Sequence, residues 1–545
     1  MSPPLIFALC PLLLCIVWHV FRRLYLSFAL HNVPGPPSDS FTAGNLARLH
    51  GPDSASFHEH LEKDFNGVVR IHALLSNSQL YISDPVALHS VLIKDRECYE
   101  ASSIFLSLSE LLFGKGLLST TGHEHRRYRK IMMPAFSASN LREMVPILYE
   151  VAYRLRDGLI QPQLKHRTGK QEVDLYPILS RASLESIGRA ALGHSFDSLS
   201  STESTTQLQI DPYVQALKSF TPIIHKLAAF LPLLPIACKV VSPAFCRRAL
   251  RFLPSSTIAV FCDIVDVMES KSRTLVRDKM QKVRSDDDSH DVMSSWVKNM
   301  NLKVEENMKF TEDELVAHAS MIIHAGTDTT SSALNRIIHV LALNPEVQIK
   351  LRTEIMQTKE ELMSYDELVG LPYLDAVIRE MLRLYPPVTG MTRTSTHPHI
   401  LPLSQPIIGV DSRPMDAILI SRGTEIYISI AGVNRNEAVW GPDAREFRPE
   451  RWRGNGQADW EGANNVRTAG VYGNMMTFAG GGRSCIGFKF VPLQLKVVIS
   501  VLLRRYKFSV VDDRIEWKMG SPAEPKVDGC SALPIIVETL EHCSP

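Results

Sequence analysis

The spacing of apolar and polar positions divides the chain into segments of unlike texture. Leu5 to Phe21 is apolar almost without a break, about 17 residues or roughly 25 Å as helix, close to the thickness of a bilayer core. Arg22 and Arg23 follow at once. A cleaved leader carries its charge ahead of the apolar run, so this order predicts a single-pass anchor over residues 1–23, with all that follows on the cytosolic side. Residues 24–50 contain HNVPGPP at His31 to Pro37, whose prolines fix φ and predict a stiff neck. The remaining residues, 51–545, carry no Gly/Ser linker, low-complexity block or fixed repeat, and read as one large body.

Within that body Val68 to Ser83 alternates and is rich in β-branched residues, predicting a hairpin turned by SNS. Helical spacing then dominates. Pro85 to Lys94 and Gly122 to Phe136 read as helices, and the polar stretch Ser270 to Asn307 as helix ends and a surface loop. Strand alternation returns near Ile407 to Ile430. A long helix opens at the capping box Thr311 and Glu314 and stops before Pro345, about 33 residues or roughly 50 Å. Apolar on most faces, it must lie centrally. Its middle is AGTDTT, Ala325 to Thr330, and such residues compete for backbone hydrogen bonds. The fold class is mainly α with a small β-rich subdomain assembled from distant segments.

Composition narrows the functions. The chain has 545 residues, 45% of them hydrophobic, and its 59 basic and 58 acidic side chains leave a net charge of +1, which gives no case for nucleic acid. Its nine cysteines are scattered without a CxxC, so neither a disulfide framework nor a zinc site is expected.

One cysteine is framed unlike the rest. Phe478 to Gly487 reads FAGGGRSCIG. Glycines at 480, 481 and 482 would let backbone approach a flat ligand, peptide N–H groups could donate to a thiolate, and Arg483 could reach an anionic group. This stretch resembles the haem-binding signature of the cytochrome P-450 family, FxxGxRxCxG, at all five fixed positions: Phe478, Gly481, Arg483, Cys485 and Gly487. Three more family motifs follow the expected order: AGTDTT, the pair Glu380 and Arg383 in REMLRLYPP, and FRPERW at Phe447 to Trp452.

The resemblance implies the cytochrome P-450 fold and haem b, iron protoporphyrin IX, with the Cys485 thiolate as axial ligand and Phe478 shielding the sulfur. It places Ala325 and Gly326 where the central helix crosses the haem, and gives Asp328 and Thr329 the catalytic role of proton delivery. Glu380, Arg383 and Arg451 become a structural triad holding the cysteine loop. Arg483, Arg393 and Arg129 become the partners of the haem propionates. Where the family often has WxxxR this chain has His125 and Arg129, one turn apart on one helix face. Arg126, Arg127, Lys130 and Lys489 form a basic patch suited to an acidic electron donor. Positions matching the family's substrate contacts, Ile104, Phe105, Leu106, Ile322, Val388 and Met391, are apolar.

No GxGxxG or GxxxxGK[ST] is present, so electrons must come from a partner. The resemblance implies NADPH-cytochrome P-450 reductase, with cytochrome b5 as a second donor, at the endoplasmic reticulum membrane. The expected function is a haem-thiolate monooxygenase oxidising an apolar, terpenoid-like small molecule with O2, in the manner of fungal secondary metabolism. Two other classes are weighed against it: a haem-thiolate isomerase or dehydratase needing no external electrons, which would have no use for Asp328 and Thr329, and a haem-binding sensor without turnover.

Overall fold

The computed structural model describes residues 30–545 apart from 75–76, 165–168, 197–198, 200–211, 228–229, 242, 253–254, 285–290, 302–307, 359, 453–466, 512–513, 521 and 541–545. The predicted anchor lies outside the described residues, among which no helix is long and apolar enough to cross a membrane. The helices that position the site are α1 (Ser103–Phe113), α2 (Gly122–Met132), α3 (Leu175–Leu192), α4 (Pro212–Leu227), α5 (Glu312–Leu343), α6 (Pro372–Leu384) and α7 (Phe490–Arg505). The helix predicted from the capping box is α5. Thr311 Oγ1 accepts from the Glu314 N–H (3.2 Å), and Glu314 Oε2 accepts from the Thr311 N–H (2.8 Å).

Glu314 does more than cap. It pairs with Arg127 at 2.9 Å and accepts from the Tyr128 hydroxyl at 2.6 Å. Burial works against its charge, yet these bonds hold its carboxyl down to about 2. Arg127 therefore leaves the expected basic patch and staples α2 to α5, while Arg126, Lys130 and Lys489 remain exposed.

Strands β1 (Val68–His72), β2 (Ser78–Ile82), β3 (Tyr99–Ala101), β4 (Gly390–Ser395), β5 (His399–Ile408), β6 (Pro414–Ile420) and β7 (Glu425–Ser429) make most of the β-rich part. β1 and β2 form the predicted hairpin. One sheet runs β1-β2-β7-β4-β3, with β2 and β7 parallel and the other pairs antiparallel; β5 and β6 form a separate two-stranded ribbon. Two expectations need correction. Strand structure begins at Gly390 rather than near Ile407, because β4 is held by long-range pairing to β3 and β7 and not by alternation of its own. The polar stretch from Ser270 is largely helix, in segments Ser256–Arg284 and Val292–Asn301. Its buried apolar positions, Leu275, Val276, Val292, Met293, Trp296 and Val297, are few, and charged neighbours hide them.

The proline-rich segment, where described, lies against the body. Leu30 and Val33 are fully buried in the β-rich core. The Arg70 N–H donates to Pro34 O at 2.9 Å, and a Cβ on Gly35 would stand 1.9 Å from Arg70 O, so only glycine allows this approach.

The predicted triad is buried and densely hydrogen-bonded. Glu380 and Arg383 on α6 have no exposed surface, and Arg451 has 1%. The Glu380 carboxylate accepts from Arg383 Nε (2.9 Å) and Nη2 (2.8 Å), Arg451 Nε (3.2 Å), Trp452 Nε1 (2.9 Å) and the Arg448 N–H (3.1 Å). Arg383 Nη1 donates to the carbonyls of Asn434 and Ala444, both at 2.6 Å. Arg451 reaches Trp440 O (2.6 Å) and Asp443 Oδ1 (2.7 Å). Asn434 carries the network on, accepting from the Met476 N–H (2.7 Å) and donating to Thr477 Oγ1 (2.8 Å). Both lie on β8 (Met475–Gly480), the strand that runs into the cysteine loop.

Two predictions follow from this packing. Glu380→Gln leaves two buried guanidinium ions facing a neutral amide and should cost roughly 3 kcal/mol or more in chemical denaturation; a variant as stable as the parent would show that the carboxylate charge is not the anchor. His58, His318 and His339 are each held down to about pH 4 chiefly by burial. Their folded pKa values lie below the unfolded value, so the unfolded chain binds more protons between about pH 6.5 and 4. Stability from these groups is complete above that window and falls as pH drops through it, which thermal unfolding at a series of pH values would read as a declining Tm; a flat profile would contradict it.

Candidate functional site

The cysteine loop begins where β8 ends. The Cys485 N–H donates to Phe478 O at 2.8 Å and closes the loop on itself. Two of its glycines are needed for contact with protein rather than ligand: a Cβ on Gly481 (φ +67°) would lie 2.0 Å from Leu92 O, and one on Gly480 2.0 Å from Ala469 O. Gly482 faces open space and lines a cavity of about 470 Å³. Phe478 is buried beneath the loop, edge-on to Tyr472 at 5.5 Å.

Cys485 combines two properties that seldom occur together. Its surface is exposed, yet it lies deep enough that burial pushes its thiol pKa up. The Gly487 N–H, hydrogen-bonded to the sulfur, and the charge of Arg129 pull the other way. Arg129 is fixed by Ser484, donating to its carbonyl (2.6 Å) and to Oγ (2.7 Å).

Positive charge collects around the 470 Å³ cavity. His125, Arg126, Arg393 and Arg483 line it, with Glu100 among the opposing carboxylates. Arg483 pairs with Glu100 at 2.5 Å and donates to Thr120 O at 2.6 Å. The register Ala101↔Arg393 between β3 and β4 brings Glu100 and Arg393 to the same place. Burial and then Arg483 push the Arg393 pKa down to about 10, and burial followed by Arg483, Arg129 and Arg393 pushes His125 to about 4. His125 is thus a neutral donor at physiological pH. Arg483 thus disfavours positive charge on both Arg393 and His125, so the cavity favours a ligand bearing negative charge.

On α5 the AGTDTT residues separate by face. Ala325 is exposed, and His324, Gly326, Asp328 and Thr329 around it are half-buried, in the middle of a helix buried over most of the rest of its length. Gly326 faces α3 instead: a Cβ on it would meet Ile187 Cγ1 at 2.8 Å, so its role is close helix packing rather than room for a cofactor. Ser183 of α3 donates to Thr327 O at 2.8 Å. Thr329 Oγ1 donates back to Ala325 O at 2.7 Å, and both residues share one face. Asp328 is half-buried; with burial and Glu524, its charge raises the pKa of the Tyr176 phenol at the start of α3.

The six expected substrate positions do not all converge. Ile104 and Leu106 on α1 are half-buried and Phe105 is 45% exposed, whereas Ile322 is buried in the main core. Val388 and Met391 pack against the β-rich core. Met391 also lines a second cavity of about 230 Å³ with Phe220 and Ile224 of α4. Sequence reasoning missed Glu100, Ser484, Asn434 and Thr477. Only Ser484 carried a signal, its place beside Cys485; the others are brought in by pairing between distant segments.

A sulfur ligand deep in the fold, a cation-lined cavity and an alanine opening on the central helix fit a flat, anionic, metal-bearing group ligated through Cys485. Known proteins agree. A sequence profile of the cytochrome P-450 family matches residues 34–523. The chain is 39% identical to cytochrome P-450 monooxygenase 91 of Postia placenta, over 97% of this chain and 98% of that one. It is 35% identical to a ganoderic acid synthetase of Ganoderma lucidum, over 95% of both chains. A further cytochrome P-450 monooxygenase, from Hericium erinaceus, is 33% identical over 96% of each. With such likeness sustained along nearly its whole length, this chain belongs to the cytochrome P-450 family and is a haem-thiolate monooxygenase.

Proposed function

We propose that the protein binds haem b through Cys485 and oxidises an apolar, terpenoid-like small molecule with O2. The observation that carries this reading is the Cys485 sulfur, exposed yet deep in the fold beside a cation-lined cavity. Haem bound there supplies the oxygen-activating chemistry, to which a thiolate ligand contributes electron density. The chain's own residues do the rest. The Gly487 N–H and Arg129 stabilise negative charge on the sulfur. Arg129, Arg393 and Arg483, with neutral His125 as an N–H donor, would hold the propionates. Phe478 keeps water from the sulfur's side of the loop.

On the opposite side Thr329 Oγ1, anchored to Ala325 O, orders water beside the half-buried Asp328 carboxylate, and together they pass protons toward the reacting face. Met391, which lines the second cavity with Phe220 and Ile224, supports an apolar substrate, and one relative is named for the synthesis of ganoderic acid. Electrons come from NADPH-cytochrome P-450 reductase, with cytochrome b5 as a second donor, docking on the exposed Arg126, Lys130 and Lys489. The apolar run from Leu5 to Phe21 holds the enzyme in the endoplasmic reticulum membrane with this body facing the cytosol.

Two variants test the reading. Cys485→Ala should lose the strongly red-shifted Soret band that thiolate ligation gives the reduced CO complex, and retention of that band would end the assignment. Thr329→Ala should still bind haem but recover several-fold less of the consumed NADPH in product, with the balance as hydrogen peroxide in solution; unchanged coupling would remove Thr329 from proton delivery.

A further inference from the structure

His324 precedes Ala325 on α5, at the point where the buried helix presents its exposed alanine. Its ring lies between two phenyl rings, Phe113 at the end of α1 (5.5 Å, tilted by 43°) and Phe220 of α4 (5.0 Å, interplanar angle 86°). Phe220 is also a wall of the 230 Å³ cavity that Met391 lines. The imidazole thus sits between a cavity wall and the exposed alanine, in apolar surroundings.

Other histidines of the same helix are bonded. His318, six residues earlier, uses both ring nitrogens, Nδ1 to Glu314 O (2.6 Å) and Nε2 to the Leu117 N–H (3.2 Å). His339 accepts from Trp517 Nε1 at 2.9 Å. Among the described residues His324 Nδ1 finds no hydrogen-bond partner and is sealed from solvent, whereas the residue as a whole keeps partial exposure, which leaves the other ring nitrogen, Nε2, as the one a ligand can reach. A leucine would fill such a place without an unpaired polar group, which is costly in an apolar interior. Burial alone pushes its pKa down to about 4, with no charged neighbour contributing. The ring is therefore neutral at physiological pH and offers one N–H and one lone pair.

We propose that His324, through Nε2, hydrogen-bonds one hydroxyl or carbonyl oxygen of an otherwise apolar substrate and so decides which carbon faces Ala325. This rests on the monooxygenase reading above and deepens it: the substrate arrives already bearing one oxygen, supplied by an earlier oxygenation or by addition of water. A carboxylate is disfavoured, because no charged neighbour of the ring would neutralise it.

The test uses the haem-loaded full chain and equilibrium dialysis with two matched sets, menthane with menthol and menthone, and androstane with androstanol and androstanone. The parent should bind the alcohol or ketone of a set about tenfold more tightly than its hydrocarbon. His324→Leu should erase that preference without weakening hydrocarbon binding, and His324→Gln should restore part of it. A parent without preference, or a leucine variant that keeps it, overturns the proposal. So does a lower ligand-free Tm in His324→Leu, since a ring that only serves packing would be missed there, whereas an unpaired one is replaced at equal or higher Tm. The CO spectrum of the parent reports separately on the monooxygenase reading, so failure of one is distinguishable from failure of the other.

Discussion

The position of the reactive sulfur depends on a single buried carboxylate. Glu380 sits at 0% exposure with two guanidinium groups, an indole N–H and a peptide N–H directed at it. Removing ions from water is expensive, and such an arrangement persists only when nearly every donor and acceptor is matched. Here matching extends outward to the carbonyls of Asn434, Ala444 and Trp440 and to Asp443. Because Asn434 also grips Met476 and Thr477, the strand leading to Cys485 cannot shift without disturbing charges that have no alternative partners. The cysteine loop is soft in composition, rich in glycine, and rigid in context.

The central helix meets the opposite demand. It must be buried along its length yet present polar residues and open space at its midpoint. α3 resolves this by offering Ser183 to a carbonyl of the interrupted turn and by using the missing side chain of Gly326 to come close. Thr327 and Thr329 satisfy their hydroxyls on the helix's own carbonyls. One face is thereby closed by packing, and the other, with Ala325 and Thr329, is left open.

Much of this could be read from the chain. The capping box fixed the start of α5, proline its end, and five spaced residues identified Cys485. What escaped was set by partners far away in sequence. Gly480 and Gly481 looked like ligand-facing residues because glycine reports a close approach without naming what approaches, and here that is the backbone at Ala469 and Leu92. Arg127 looked like surface charge until Glu314, which already had a local role as a helix cap, proved to be its partner. Strand β4 has little alternation of its own, and only its pairing with β3 and β7 makes it a strand and sets Arg393 beside Glu100.

The burial of Leu30 and Val33 in the β-rich core, with Gly35 pressed on Arg70, leaves almost no slack between residue 30 and the folded body. Residues 30–35 are thus welded into the β-rich edge rather than hinged on it. A force applied at residue 30 is therefore delivered straight to the β-rich core, which includes Val388 and Met391.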